Sequence, residues 1–385
     1  MKEILTNVKA HMKKFCLDCG SRHCGSEGEK QAALYIEEYW KSLGLDVRRE
    51  EYPVRGWNCR SYSLVNVTKN KPVTHIIANY FSASCDVIGV PVIYDGSKSF
   101  EELDVKGKIV FIKKPGGGVF DRCDMAKELE DLGAAAVIFM STGHTDAAPS
   151  SKIVRSAYIS KIATLAASNR GIYDIIANPD DTYHLIVDAE PFDTTVFNVI
   201  AKIGSGEAKG VFGAHFDTAP LTQGAGDNAA GTVVMMETAR LLRDYDPGMT
   251  IEFAAFSAEE YIPDRGGCPP GSADYVNRHK NEDIRWFYNT DDCGLYLGSP
   301  EFQLSHMDKL PKVNYCYSTS EAALSGDDKT FSLAGFPTIW LYDRQTFRNL
   351  HTPADTIETV DMENLAKFVE ISADMIKQLA SGTDK

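Results

Sequence analysis

Side chains that bind metal ions or transfer protons are concentrated in one part of the chain. Between residues 213 and 260 they are His215, Asp217, Asp227, Glu259 and Glu260. An apolar run at 210–214 predicts a strand that ends just before His215. Residues two apart in extended backbone face the same side, so His215 and Asp217 can face one cavity. We expect one of the two to bind a metal ion and the other to orient that ligand.

Two adjacent acidic residues follow the next predicted strand. The apolar run at 250–256 ends shortly before Glu259 and Glu260, which places the pair at the edge of the core. Such a pair is usually solvated at a protein surface. Adjacent side chains of an extended segment point apart, so one glutamate can bind a metal ion while the other stays free as a base.

Two later predicted strands are followed by further candidate ligands. Asp291 follows a strand at 284–288, and His351 lies in the loop after a strand at 336–342. Open α/β sheets place their ligand sites at the carboxyl ends of their strands. Two imidazoles with several carboxylates suit zinc, with manganese or cobalt as alternatives. The pattern predicts a hydrolase with two metal ions.

Asp227 has two interpretations. It stands before a predicted helix at 231–243, and an aspartate there can cap the helix and interact favourably with its dipole. It can equally be a metal ligand. The candidate ligands that follow the other strands favour the second interpretation.

The elements that must position these residues predict an α/β fold. Ser26 and Glu29 form a capping box before a helix, and an edge strand follows at 45–52. Short β-rich runs separated by turns then continue without any catalytic motif. We expect a mixed central β-sheet flanked by helices in a discontinuous catalytic domain (1–56 and 193–385), interrupted by a β-rich inserted domain (57–192).

Composition limits the classes of partner and compartment. The net charge is −14 without a basic patch, so we expect no nucleic-acid partner. The first residues lack an apolar leader, and no run approaches the ~20 residues of a membrane span, so we expect no membrane partner. Nine irregularly spaced cysteines suggest no disulfide framework and favour the cytoplasm. Cys16, Cys19 and Cys24 lack the second pair that a zinc clip needs, which favours ordinary thiols.

Five motifs in order resemble the M28 metallopeptidases, a family that includes bacterial aminopeptidases with two zinc ions. They are Gly213-Ala-His-Phe-Asp-Thr218, Gly224-Ala-Gly-Asp-Asn-Ala-Ala-Gly231, Ala258-Glu-Glu260, Asn289-Thr-Asp291 and His351-Thr-Pro-Ala-Asp-Thr356. Inside the insertion, Val105-Lys-Gly-Lys-Ile-Val110 and Leu132-Gly-Ala-Ala-Ala-Val137 resemble a protease-associated domain. The resemblance implies a zinc-exopeptidase fold of the phosphorylase/hydrolase-like type.

The resemblance also implies a role for each candidate. Two divalent ions, zinc in the family, would share Asp227 as a bridging ligand. The remaining ligands would be His215 and Asp291 for one ion, and Glu260 and His351 for the other. A water between the ions would pass its proton to Glu259, the general base, while Asp217 orients His215. The implied function is a metal-dependent exopeptidase that removes N-terminal residues from peptides.

Several positions depart from the family pattern. An extra loop, 261–270, separates Glu260 from the expected Gly-Ser pair. Leu350 stands where some relatives have a tyrosine that donates to the oxyanion, and Gly326-Asp327-Asp328 replaces the usual Ser-Asp-His. By resemblance, Asp355 would orient His351. These departures leave the substrate side chain open.

Other functions stay open from the sequence. A dipeptidase or carboxypeptidase relative would need a cation for the free substrate carboxylate, which Arg265 or Arg344 could supply. A glutaminyl cyclase relative or a non-catalytic binding protein of the family is disfavoured, because such proteins do not keep the full ligand set. The oligomeric state is also open.

Overall fold

Helices and strands alternate along the chain. The computed structural model describes residues 2–113, 119–140, 154–155, 158–261, 267–295, 300–306, 325–343 and 349–382. Its helices are α1 (Lys2–Lys13), α2 (Glu27–Ser42), α3 (Val119–Asp131), α4 (Asn169–Ile176), α5 (Gly231–Leu242), α6 (Pro270–His279), α7 (Gly326–Leu333) and α8 (Met362–Gly382). Its strands are β1 (Asp46–Asn66), β2 (Lys71–Pro72), β3 (Ile76–Ala78), β4 (Cys85–Gly89), β5 (Val92–Tyr94), β6 (Ile109–Ile112), β7 (Ala136–Met140), β8 (Val154–Arg155), β9 (Tyr158–Ile159), β10 (Ala163–Ala167), β11 (Tyr183–Ile203), β12 (Ala208–His215), β13 (Thr250–Phe256), β14 (Asp283–Thr290), β15 (Pro300–Ser305) and β16 (Thr338–Asp343).

A large mixed sheet forms the centre of the protein. Its strand order is β15-β16-β14-β12-β13-β11-β1-β2, and β4 pairs with β11 beside this path. β12 is parallel to β13 and β14, and β14 is parallel to β16. β1, β11 and β15 run antiparallel to their neighbours. The predicted mixed central sheet is confirmed, and the carboxyl ends of its parallel strands meet at one edge.

Helices cover both faces of this sheet. On one face, α5 lies between the sheet and α8 and contributes Val233 and Met236 to the main core. Almost every side chain of α5 is buried, which is typical of a helix inside a core. On the other face, Phe331 of α7 stacks on Phe287 of β14 with ring centroids 3.6 Å apart. Each buried side chain of this size contributes about 1.5–3 kcal/mol.

The chain also forms a second, five-stranded sheet. It has the order β3-β10-β7-β6-β5. Val137 lies in an apolar cluster of this sheet alone, whereas Phe111 lies in a cluster that extends to Ala258 after β13. β1 and β11 connect the two sheets as one antiparallel ribbon, with a β-bulge between Cys59 and Ser61. The predicted edge strand at 45–52 is therefore the first part of a longer strand. The domain boundaries at 57 and 192 stay a prediction, and the ribbon passes through both of them.

Most predicted elements of the catalytic part lie where the sequence placed them. The strand at 250–256 has the same bounds as β13, and the helix predicted at 231–243 is α5, Gly231–Leu242. Arg265 and Arg344, the two candidate partners of a substrate carboxylate, lie outside the described residues. None of the helices in the described ranges is long and apolar enough to cross a membrane.

A network of charged side chains joins β1, β13 and α6. Arg48 donates to both carboxylate oxygens of Glu252, at 2.9 and 3.0 Å. His279 Nε2 lies 2.8 Å from Glu50 Oε1, and its Nδ1 lies 2.6 Å from Glu282 Oε1. Burial alone would lower the pKa of His279, but the two carboxylates outweigh burial and raise it above its usual value of 6.5.

Replacing His279 with glutamine should destabilise the metal-free protein more at low pH than at high pH. The charged ring stabilises the fold in full below the unfolded-state pKa of about 6.5. This contribution disappears as the pH rises through the higher folded-state pKa. Two charge-assisted hydrogen bonds suggest a loss of about 1–3 kcal/mol at pH ~5.5, with a smaller loss at pH ~9. Urea unfolding at both pH values measures the difference.

The matched control is His184→Gln. His184 also pairs with a carboxylate, at 2.7 Å from Asp86, but that carboxylate is mostly exposed. Exposed pairs contribute about 0–1 kcal/mol, so this variant should lose little at either pH. A loss from His279→Gln that is independent of pH would contradict the assignment.

Candidate metal centre

Two groups of ligand side chains share one carboxylate. His215, Asp227 and Asp291 form the first group, Asp227, Glu260 and His351 form the second, and the ligand atoms of each lie within 4.8 Å of one another. Nε2 of His215 lies 3.2 Å from Asp227 Oδ1, and Nε2 of His351 lies 3.1 Å from Asp227 Oδ2. The two oxygens of Asp227 thus face different imidazoles, which is the arrangement that a bridging carboxylate requires.

The strand ends of the central sheet bring these residues together. His215 is the last residue of β12, and Asp291 directly follows β14. Glu260 follows β13, and His351 lies in the segment beyond β16. His215 Nε2 is 3.3 Å from Asp291 Oδ1, and His351 Nε2 is 2.8 Å from Glu260 Oε1. The structure therefore assembles all five predicted ligands at one edge of the sheet.

Asp227 does not cap the following helix. Its φ and ψ of −117° and 92° are non-helical, and α5 begins only at Gly231. The peptide bond between Asp227 and Asn228 is cis. Asn228 provides the cap, because its Oδ1 accepts the Gly231 N–H at 2.9 Å. The N-cap interpretation of Asp227 is wrong, since the side chain one residue later satisfies the helix and leaves the aspartate facing the imidazoles.

Asp217 holds the turn that contains both glutamates. Its Oδ1 accepts the N–H of Glu259, and its Oδ2 accepts the N–H of Glu260, each at 3.0 Å. Its Oδ1 also lies 3.4 Å from Nδ1 of His215. Ala258, just before the pair, has a φ of 58°. Asp217 thus connects the His215 ring with the backbone that presents the glutamates.

Asp355 supports the backbone of Asp227. Its two oxygens accept the N–H groups of Gly226, at 2.8 Å, and Asp227, at 3.1 Å. The family resemblance implied that Asp355 orients His351, but its observed hydrogen bonds go to the backbone of the segment that carries Asp227, the shared ligand. Burial raises the pKa of Asp355 to about 7.

Asp355→Asn should weaken metal binding. An amide keeps one acceptor but turns an N–H₂ toward a backbone N–H, so the segment at Asp227 loses one of its supports. Partners that orient a metal ligand are typically worth about 10–100-fold in metal affinity. Titration against a competing chelator measures the affinity. Asp361→Asn is the matched control, because Asp361 also accepts two backbone N–H groups, from Glu363 and Asn364, at the start of α8.

Sequence reasoning missed Arg22. Its side chain is fully buried and donates to the carbonyl oxygens of Phe216, Gln223 and Gly224, at 2.8, 2.8 and 2.9 Å. The guanidinium thereby fixes the loop between His215 and Asp227. No spacing signal accompanies this residue, because its partners are backbone carbonyls of a distant segment.

The donor set and its charges fit divalent cations. His215 is 1% exposed, and neither its Nε2 nor Asp291 Oδ1 makes a hydrogen bond to a residue that the structure describes. Burial would lower the pKa of His215, but the charges of Asp291 and Glu259 raise it well above its usual range. Burial would raise the pKa of Asp227, but the imidazoles of His215 and His351 hold it below its usual range. Two imidazoles and three carboxylates are a mixed N/O set that zinc accepts.

Further buried carboxylates surround the two groups. Burial and the charge of Asp291 raise the pKa values of Asp292 and Asp328 well above their usual range. Burial raises the pKa of Asp327 to about 7. Asp328 Oδ1 accepts a hydrogen bond from Asn289, two residues before Asp291, at 2.9 Å. This surplus of buried acids favours cations at the site.

The comparison with protein families matches the part of the chain that holds the site. A family model described as peptidase family M28 matches residues 198–376. The matched region contains all the predicted site residues, from His215 to His351. The predicted M28 resemblance is confirmed.

Curated relatives align over most of the chain. An aminopeptidase of Pseudomonas aeruginosa is 25% identical over 357 residues, which cover 86% of this chain and 62% of that protein. Aminopeptidase YwaD of Bacillus subtilis is 25% identical over 391 residues, which cover 90% of this chain and 78% of that protein. The chain thus spans less than two thirds of the Pseudomonas relative.

Solved structures share the fold. A peptidase M28 precursor from Shewanella amazonensis has a TM-score of 0.79 at 20% identity, over 98% of this chain and 95% of that one. The zinc aminopeptidase BSAP from Bacillus subtilis has a TM-score of 0.73 at 21% identity, over 97% of this chain and 93% of that one. At these identities the likeness shows the fold, and the predicted fold class is confirmed.

Proposed function

We propose that this protein is a metal-dependent exopeptidase that removes N-terminal residues from peptides. One observation carries the proposal: two ligand groups share Asp227, and among the described residues Glu259 lies beside them but belongs to neither. The names of the two curated relatives, both aminopeptidases, support the same activity.

The proposed cofactors are two zinc ions. The ligands of one would be His215, Asp227 and Asp291, and those of the other Asp227, Glu260 and His351. The mixed N/O donor set supports zinc, as does the name of the BSAP structure, a zinc aminopeptidase. When bound, the ions would polarise the scissile carbonyl and lower the pKa of water.

Glu259 is the proposed general base. Its backbone N–H is fixed by Asp217, so the side chain extends from a rigid turn. The carboxylate would accept a proton from the attacking water and deliver it to the amine that leaves. Proton transfer by a positioned side chain contributes roughly 10²–10⁴-fold to the rate. Asp217 would act through the Glu259–Glu260 turn and the His215 ring.

The proposed substrate is a peptide with a free, protonated N-terminus. Three further carboxyl groups are buried near the ligand groups, in addition to the three proposed to bind the ions. They belong to Asp292, Asp327 and Asp328. A protonated α-amine is a cation that complements this surplus, whereas an acetylated N-terminus carries no charge.

A panel of peptides tests the proposed function. The zinc-loaded protein is given one sequence with a free or acetylated N-terminus, and with a free or amidated C-terminus. We expect acetylation to abolish cleavage and amidation to change the rate less than about threefold. Undiminished cleavage of acetylated peptides would overturn the aminopeptidase assignment. Loss of cleavage on amidation would favour the dipeptidase or carboxypeptidase alternative, and cleavage of none, with both ions bound, would favour a binding protein.

We also infer that residues 57–192 form an inserted protease-associated domain and that the protein works in the cytoplasm. The separate five-stranded sheet supports the first inference. The second is supported by the cysteines, since each cysteine in the described ranges is a free thiol. A deletion of 57–192 that abolishes folding of the remainder would count against an independent insertion, and cell fractionation tests the location.

A further inference from the structure

Gly326 lies directly against the carboxylate of Glu259. It is the buried first residue of α7 and has a φ of +70°. A Cβ atom built on this glycine would lie 2.6 Å from Glu259 Oε1, 3.6 Å from its Cδ and 3.9 Å from its Cγ. Apart from its neighbours in the chain, the three described atoms nearest to that Cβ position therefore all belong to one side chain, that of the proposed base.

The backbone of Glu259 has little freedom to move away from this contact. Its N–H is bound to Asp217 at 3.0 Å, and Glu260, the next residue, is bound to the same carboxylate. The preceding Ala258 has a φ of 58°, which lies in the left-handed region that residues other than glycine rarely adopt. A side chain at position 326 must therefore displace the end of the Glu259 side chain rather than the turn that carries it.

We propose that Gly326 is a positioning residue for the general base: its lack of a side chain leaves the space that the Glu259 carboxylate occupies. This inference rests on the proposed function. It also gives a physical meaning to the departure from Ser-Asp-His noted in the sequence, because a serine at position 326 would carry a Cβ where Glu259 Oε1 lies. The Glu259 carboxylate therefore occupies a position that a side chain at residue 326 would block.

Gly326→Ala and Gly335→Ala form a matched pair that separates this role from backbone strain. Gly335 follows the same helix, has a φ of +86° and has nothing within 4 Å of its Cβ position. Both variants force alanine into a left-handed conformation, but only Gly326→Ala contacts Glu259. A displacement of about 1 Å in a catalytic group can cost roughly 10²-fold in rate. We expect Gly326→Ala to lower kcat at least about tenfold while KM changes less than about twofold and both zinc ions are retained. The kcat of Gly335→Ala should change less than about twofold.

A double variant shows whether the effect passes through Glu259. In a Glu259→Gln background, Gly326→Ala should lower the residual rate no further, because the base is already absent. An additional loss of the same size in that background, or a kcat equal to that of Gly335→Ala, would overturn the proposal. If Gly326→Ala does not fold, Gly326→Ala/Glu259→Ala, which lacks the carboxylate, should fold as Gly335→Ala does, and its failure would also overturn the proposal.

A crystal structure of Gly326→Ala makes the test independent of activity. We expect the Glu259 carboxylate to move by about 1 Å while its backbone stays in place, as the geometry of the contact requires. An unmoved carboxylate would overturn the role of Gly326 even in a protein with peptidase activity. A wild-type protein that cleaves no peptide would refute the proposed function, and the displacement of Glu259 would still decide whether Gly326 sets its position.

Discussion

Glu259→Gln should remove nearly all turnover from a protein that still binds two zinc ions. The amide cannot accept a proton from water, so the rate should fall by roughly 10²–10⁴-fold, the range for general bases. Among the described residues, Glu259 belongs to neither ligand group, so the metal content should stay at two ions per chain. The hydrogen bond from its backbone N–H to Asp217 does not involve the side chain and should survive.

The measurement combines kcat on a free-amine peptide with metal analysis of the same sample. Glu38→Gln, an exposed glutamate on α2, is the control for loss of one carboxylate and should keep the wild-type rate. If Glu259→Gln turned over within about threefold of wild type with both ions present, another residue would have to be the base. Loss of metal from this variant would instead place Glu259 among the ligands.

Asp227→Ala should empty both metal sites at once. One carboxylate faces both imidazoles, with Oδ1 3.2 Å from His215 and Oδ2 3.1 Å from His351. Asp291→Asn removes a ligand from one group only and should lower the occupancy of a single site. If each ion is present at about 100 times its Kd, each bound ion stabilises the fold by ~2.7 kcal/mol. The loss of holoprotein stability should therefore be about twice as large for Asp227→Ala as for Asp291→Asn.

Equilibrium dialysis at fixed free zinc, followed by metal analysis, distinguishes the two variants. Thermal unfolding with and without chelator gives the corresponding loss of stability. Retention of one full equivalent by Asp227→Ala would mean that the carboxylate serves a single ion. Equal metal loss in both variants would mean instead that the two sites fill only together.

Local spacing was enough to predict the parts of the site that lie on single strands. His215 and Asp217 are two residues apart at the end of β12, and strand periodicity alone places them on one side. The helix after Ser26 was equally accessible, and Ser26 Oγ does accept the Glu29 N–H at 3.1 Å. In the other half of a capping box, the Glu29 side chain would accept the N–H of Ser26, but the observed partners differ. Glu29 accepts hydrogen bonds from Gly25 N–H, at 2.5 Å, and from Ser257 Oγ in the turn that follows β13.

Contacts between distant segments could not be predicted in this way. The capping role of Asn228, the bonds of Arg22 to the loop before Asp227, and the approach of Gly326 to Glu259 all depend on how separate elements pack. Residues with no catalytic chemistry, such as an arginine bound to carbonyls, carry no signature in one sequence. Propensity and periodicity describe a segment alone, and tertiary packing decides which carbonyl or carboxylate lies opposite it.

The β1–β11 ribbon has a mechanical consequence for the second sheet. The two chain segments that leave the central sheet are hydrogen-bonded to each other from Asp46↔Lys202 to Asn66↔Tyr183, so no single flexible linker separates the sheets. A motion of the second sheet must bend or twist both strands of the ribbon, and the β-bulge at Cys59/Ser61 is where their hydrogen-bond pattern is interrupted. The second sheet is therefore expected to tilt elastically about that point rather than swing open on a hinge.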